Sequence, residues 1–242
     1  MKHINVTLKR LSLYVIGLFF LSLGVSFSIQ AALGVSPVSS LAYALSLTSG
    51  LSVGIMTIVA NILFIGIQVI LNKRMDLKES VVQLIITFLF GFFMDTTLSL
   101  VKLFPTPETL VMRWLFLILS LFIVAIGLFG YFNAKFPLMP YDALTYAISE
   151  KFNMKFSKAK ISSDLVNVCV AGLVCIIFIH SFGSIGIGTL VAAYFIGKIL
   201  GWIMPRYQKY LVSWINKKRD INIHVAEEND VTTQTENTSL SS

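Results

Sequence analysis

Charge is what this sequence has least of. Asp, Glu, Lys and Arg make up 13% of its 242 residues, about half the share usual in a soluble domain. Cysteine is almost missing as well. Cys169 and Cys175 stand six apart on one apolar run and point to different faces of a helix, which excludes a disulfide framework and a paired metal site. There is no HExxH, no nucleophile with a base beside it, and no nucleotide-binding glycine loop between strand and helix. GSIGIG at 183–188 reads instead as the close-packing start of a span. An enzyme reading gains nothing from these residues, and no cofactor is called for.

What fills the sequence is hydrocarbon. Hydrophobic residues reach 56% and gather in blocks of about twenty, the length a helix needs to cross a bilayer. Six blocks stand out, at 11–33, 51–72, 81–101, 114–134, 161–181 and 186–204. The expected fold is therefore an all-α polytopic membrane protein with six transmembrane helices. Lys and Arg near span ends stay cytoplasmic. With the N-terminus (1–10) inside, 16 of the 19 basic residues fall in cytoplasmic segments; Lys102 and Arg113 lie outside and Lys198 within the last span. The net charge of +7 is then the usual bias toward an anionic inner leaflet. A multi-pass protein of the bacterial plasma membrane, with both termini cytoplasmic, is the expectation. The first span resembles a signal peptide, with Lys9-Arg10 before it and SIQA after, but the repeat below needs it retained.

After Pro205 the character changes. Tyr207, Tyr210, Leu211 and Trp214 share one helical face and Arg206, Lys209 and Lys217 the other, which predicts an interfacial amphipathic helix over 205–219. Residues 220–242 carry five acids and no Lys or Arg in a Thr/Ser/Asn-rich setting, the composition of a disordered cytoplasmic tail.

The chain also repeats itself. A shift of 103 residues aligns 24–46 with 127–149, seven of 23 positions identical, including Gly24/Gly127, Pro37/Pro140, Tyr43/Tyr146 and Ser46/Ser149. The same shift sets Asn61 on Asp164 and Thr57 on Lys160, and a slightly larger one sets Gly91 on Gly197. Each half (11–101 and 114–204) thus holds three spans and one short helix after the first of them. Three crossings is odd, so the second half enters the membrane inverted. That is a transporter pattern, with the substrate site near the midplane where the halves meet.

The short helices are the segments GVSPVSSLAYALSLTSG and PLMPYDALTYAISEKFN. Each has Pro at the position where a helix starts without needing an N–H, and Ser36 is a good cap for the first. Ser39, Tyr43 and Ser46, and in the other half Asp142, Tyr146 and Ser149, follow i, i+4, i+7 spacing and form a polar stripe. Two readings stand. Either the helices are re-entrant and the stripe lines a water-filled cavity, or they lie on the surface with Asp142 stabilised by its own helix N-terminus. Lys160 and Asp164 are four apart and can pair, as a structural ion pair or as part of a site. Asp95, Lys198 and His180 lie toward span ends, and Gln30, Gln68 and Asn133 suit bonds between neighbouring helices.

These residues resemble the YczE/YyaS/YitT family of uncharacterised bacterial integral membrane proteins. The likeness covers about residues 10–205 and rests on LGVSPVSSLAYALS with LSVGIMTIVANILFIGIQ, on FGFFMD, on KAKISSDLV, and on GIGTL followed by IGK. The family pattern carries Asp where Ser39 stands and in places an acid where Ile187 stands, so a mechanism needing a carboxylate in both halves does not carry over. The resemblance implies a membrane protein and little about substrate.

The leading expectation is a small-solute transporter working by alternating access. Asp142, Lys160 and Asp164 would supply charge, and Ser39, Tyr43, Thr57, Asn61, Asn133 and Tyr146 would line the path. Two rivals remain, a substrate-binding membrane subunit that needs an energising partner and a non-transporting membrane scaffold or sensor. The partners implied are the lipid bilayer, a small-molecule substrate, and an energising subunit or a second copy of the chain; nucleic acid is not among them.

Overall fold

The computed structural model describes residues 6–73 and 76–215. They are helical, with no strand among them. The elements are α1 (Lys2–Ala31, described from Val6), α2 (Pro37–Ser49), α3 (Val53–Asn72), α4 (Leu77–Val101), α5 (Leu110–Asn133), α6 (Pro140–Lys151), α7 (Phe156–Ile179) and α8 (Ile187–Ser239, described to Ile215). Six of them, all but α2 and α6, are long and apolar enough to cross a membrane. The six apolar blocks of the sequence reappear as these six helices. Four of them, α1, α4, α5 and α7, begin a turn or more earlier than hydropathy places them. α4 starts at Leu77 because Asp76 caps it, accepting from the backbone N–H of Lys78 and Glu79. α7 starts at Phe156 and so takes in the polar turn that carries Lys158 and Lys160.

Local chemistry sets the short helices. Pro37 and Pro140 occupy the first turn of α2 and α6. Ser36 makes no side-chain cap; its hydroxyl donates instead to Ser39 Oγ at 3.3 Å. α2 ends at Gly50 in the left-handed conformation (φ 73°), whose N–H reaches back to the Ser46 carbonyl. No break occurs at Pro205. α8 runs through it, at the cost of one backbone bond that proline cannot donate. Residues 216–219 of the expected surface helix, and the whole tail 220–242, lie outside the described residues.

α1 and α5 form the centre and run antiparallel. A Cβ on Gly24 would strike Val124, and one on Gly127 would strike the backbone of Leu21; Gly17 and Gly130 lie in the same seam. Apolar side chains gain nothing over lipid by touching in a bilayer, so close backbone packing of small residues is what holds such a pair together. Antiparallel α1 and α5 place α2 and α6 at opposite ends of the bundle. α2 packs on α7 and α6 packs on α3; α2 also touches α3, and α6 touches α7. α4 packs on α1, and α8 on α5.

One pairing has no counterpart. α3 and α4 are closely joined near the α2 end, where Cβ atoms on Gly54 and Gly91 would meet each other's backbone and the Ile58 and Asp95 side chains. Asp95 ties the joint, accepting from Ser52 Oγ and from the Gly54 N–H, both at 2.7 Å. α7 and α8 have no comparable packing, and Gly197 and Gly201 of α8 face open space. The α2 end is further tied across the bundle: Val35 N–H donates to the Ser184 carbonyl at 3.1 Å and Gly188 N–H to the Leu33 carbonyl at 2.7 Å. At the α6 end, Lys9 donates to the Trp214 carbonyl at 2.7 Å and sits 4.6 Å from the Trp214 ring centre.

Candidate functional site

The N-terminal turns of α2 and α6 point toward one another from opposite ends of the bundle and leave a cavity of about 330 Å³ between them. That is within the range of small-molecule sites. α3 closes one wall with Thr57, Asn61 and Phe64, and α7 the other with Phe156, Lys160, Ile161 and Asp164. Leu21, Val25, Val124, Leu128 and Phe132 of α1 and α5 form the back, with Phe90 of α4. Ala193, Ile196, Gly197 and Leu200 of α8 line the side where α7 and α8 stand apart.

Among the described residues, charge enters this cavity through Asp142, Lys160 and Asp164 alone. Lys160 Nζ lies 3.4 Å from Asp142 Oδ1 and 3.4 Å from Asp164 Oδ1, and 4.2 Å from the centre of the Tyr141 ring. The i, i+4 spacing on α7 brings Lys160 to Asp164, and α6 brings Asp142 across to both. Two phenols complete the arrangement. Tyr141 donates to Asp164 Oδ1. Tyr131 donates to Asp142 Oδ2 at 3.3 Å and accepts from the Met139 N–H at 2.6 Å, which pins the start of α6 to α5. Tyr14 reinforces that junction, donating to the Pro137 carbonyl at 2.9 Å. Carboxylates withdrawn from water survive only when paired and hydrogen-bonded, and here the buried Asp142 and the partly buried Asp164 each have a cation and a phenol.

The neutral side of the cavity differs. Thr57 turns its hydroxyl back to the Val53 carbonyl at 2.7 Å. Asn167 on α7 donates to the Pro37 carbonyl at 2.6 Å and to that of Val38, fastening the start of α2. Asn61 is 4% exposed, lines the cavity, and has no hydrogen-bond partner among the described residues.

Six of the nine residues singled out in the sequence meet here: Ser39, Thr57, Asn61, Asp142, Lys160 and Asp164. Three do not. Tyr43 packs against the central apolar cluster. Asn133 donates to the Phe129 carbonyl at 2.8 Å and to Met204 Sδ at 3.4 Å, joining α5 to α8. Tyr146 is half exposed and engages Glu150, which raises its phenol above the ordinary value. The polar stripe is thus interrupted. Ser46 and Ser149 each bond a loop carbonyl five residues on, Leu51 and Met154, both at 2.7 Å, because helix ends must satisfy such groups. Tyr131, Tyr141 and Phe64 belong to the site without a signal in the motifs. Tyr141 lies off the polar stripe; its ring packs edge-on against Phe64, 5.2 Å between centres, yet its hydroxyl reaches Asp164.

Gln68 bonds Glu79 across α3 and α4. Among the described residues no group of three or more His, Cys, Asp or Glu side chains is placed to hold a metal ion.

Comparison with known proteins agrees with this picture of a multi-pass helical membrane protein. The chain is similar to the uncharacterized protein YyaS of Bacillus subtilis, 30% identical over 202 residues that cover 83% of this chain and 94% of the relative. It is also similar to the uncharacterized membrane protein YczE of the same organism, 25% identical over 198 residues, 81% of this chain and 86% of the relative. No solved structure matches. Residues 8–205 match the model of a family of unknown function, DUF6198, and the chain belongs to that family.

Proposed function

We propose that this protein is a small-solute transporter of the bacterial plasma membrane, working by alternating access between two inverted three-span halves. The observation that carries the reading is the pairing inside the cavity. Ser39, Thr57 and Asn61 of the first half, and Asp142, Lys160 and Asp164 of the second, are related by one shift of 103 residues and line the same space. The packing follows the same exchange. α2 on α7 answers α6 on α3, α1 with α4 answers α5 with α8, and Gly24 against Val124 answers Gly127 against Leu21.

The departures from that exchange support motion. α3 and α4 are sealed while α7 and α8 are parted, and the tie of 33–35 to 184–188 has no equivalent between α6 and α4. With both termini cytoplasmic, as the basic residues favour, this is a state open toward the cytoplasm. The opposite state follows by exchange: α7 and α8 close through Ile161 and Gly197, the counterparts of Ile58 and Gly91, and α3 and α4 part.

Accessibility tests it. Asn61→Cys, with both native cysteines replaced, is expected to react with a charged thiol reagent from the cytoplasmic side only. Joining Ile161→Cys to Gly197→Cys by a disulfide, before Asn61→Cys is labelled in the same chain, is expected to move that labelling to the outer side. Labelling that stays on one side whether or not α7 and α8 are linked would overturn alternating access.

A further inference from the structure

The charges around the cavity do not cancel. Two carboxylates, Asp142 and Asp164, face one ammonium, Lys160, so by formal charge the site is one negative charge in excess, and among the described residues no other charged side chain lines the cavity. Asp164 Oδ1 takes both the Tyr141 hydroxyl and Lys160, while its Oδ2 has no partner among the described residues. Asn61, 4% exposed, leaves its amide unpaired toward the same space. The Asp164 side chain is 23% exposed, so these atoms reach the cavity rather than being sealed off, and an amide and a carboxylate oxygen without protein partners in one space are placed to receive a donor. The remaining wall is apolar and aromatic, with Phe64, Phe90 and Phe132 beside Tyr141.

We propose that the cavity binds an organic monocation with an apolar body, an alkyl- or arylalkylammonium, its charged head at Asp164 and Asn61 and its body among the aromatic rings. The proposal rests on the site assigned above and specifies its ligand. A cation cancels the excess charge. An anion would add to it, and a neutral solute would leave it uncompensated in a partly enclosed site, where screening is weaker than in water. A proton alone would neutralise Asp164 but would leave the Asn61 amide and about 330 Å³ of space without an occupant. Aromatic faces add attraction for a desolvated ammonium. Lys160 holds Asp142 and one oxygen of Asp164 in place, which leaves the second oxygen free to accept from the incoming head group.

Direct binding to the full-length protein in lipid nanodiscs, measured by calorimetry at constant pH and ionic strength, tests this without requiring transport. The probes are three molecules of one shape: 2-phenylethylammonium, 2-phenylethanol and 3-phenylpropanoate. The expected result is binding of the ammonium alone, weakened about tenfold or more in Asp164→Asn, a change of about 1.4 kcal/mol or more. Asn61→Leu, which leaves the charges intact, is expected to weaken it as well. Equal binding of the alcohol, preferential binding of the carboxylate, or no binding of any probe to well-folded wild-type protein would overturn the assignment. An unfolded Asp164→Asn variant would not rescue it, because the three probes are compared on the wild-type chain. Failure of the ammonium to bind while α7–α8 linking still moves Asn61→Cys labelling would reject the ligand class and leave alternating access standing.

Discussion

Lys160 does several jobs at once. It neutralises Asp142, holds one oxygen of Asp164, and covers the Tyr141 ring. Replacing it by Met keeps its length but strands two carboxylates. We expect Lys160→Met to lower stability by about 2–3 kcal/mol, below the ~3–5 typical when a fully buried pair is broken, because its side chain is 27% exposed. Thermal unfolding in detergent reads this loss, and Asp142→Asn in the same chain should recover part of it. A fully stable Lys160→Met protein would mean that the carboxylates are solvated rather than enclosed. Tyr131 tests a different bond. Tyr131→Phe removes the acceptor of the Met139 N–H and the donor to Asp142, at a cost of about 1–3 kcal/mol for a buried group left unmet. Proteolysis or hydrogen exchange at the start of α6 should rise first.

Helices in this chain are distinguished by how close their backbones come. Gly127 and Gly197 both sit on spans, and the sequence does not tell them apart. In the structure a Cβ at Gly127 would collide with the backbone of Leu21, whereas Gly197 has nothing near it. Gly127→Ala is therefore expected to separate α1 from α5 and lower the unfolding temperature sharply. Gly197→Ala should leave that temperature unchanged, since no neighbour is displaced. If the two variants behave alike, the central seam is not the contact that holds the bundle together. The contrast also explains what periodicity misses. In water, apolar faces mark burial; in a bilayer, lipid-facing and helix-facing surfaces are both apolar, so hydropathy locates the spans and leaves their pairing open. The α7–α8 opening has no signature in composition for that reason.

Across the whole molecule, the six spans, the two proline-led short helices and the two matched trios were legible in the sequence. The apolar blocks are long, and Ser39, Thr57 and Asn61 reappear 103 residues later as Asp142, Lys160 and Asp164. The stripe stops short. Tyr43, Tyr146 and Asn133 share its spacing or its shift, but only the N-terminal part of each short helix, as far as Ala42 in α2 and Asp142 in α6, reaches the cavity, and the last hydroxyl of each stripe is taken by a loop carbonyl. Tyr131 lay hidden among the apolar residues of α5 because the value of a phenol depends on what stands opposite its hydroxyl. The glycine seam has a further consequence. Side chains that interlock fix one register, and shifting them means climbing over rotamer barriers; Gly24 and Gly127 instead present smooth backbone to the facing helix. Under the proposed alternating access, α1 and α5 would act as a pivot rather than a gear, letting the halves tilt with the axle intact and confining the repacking to α3–α4 and α7–α8.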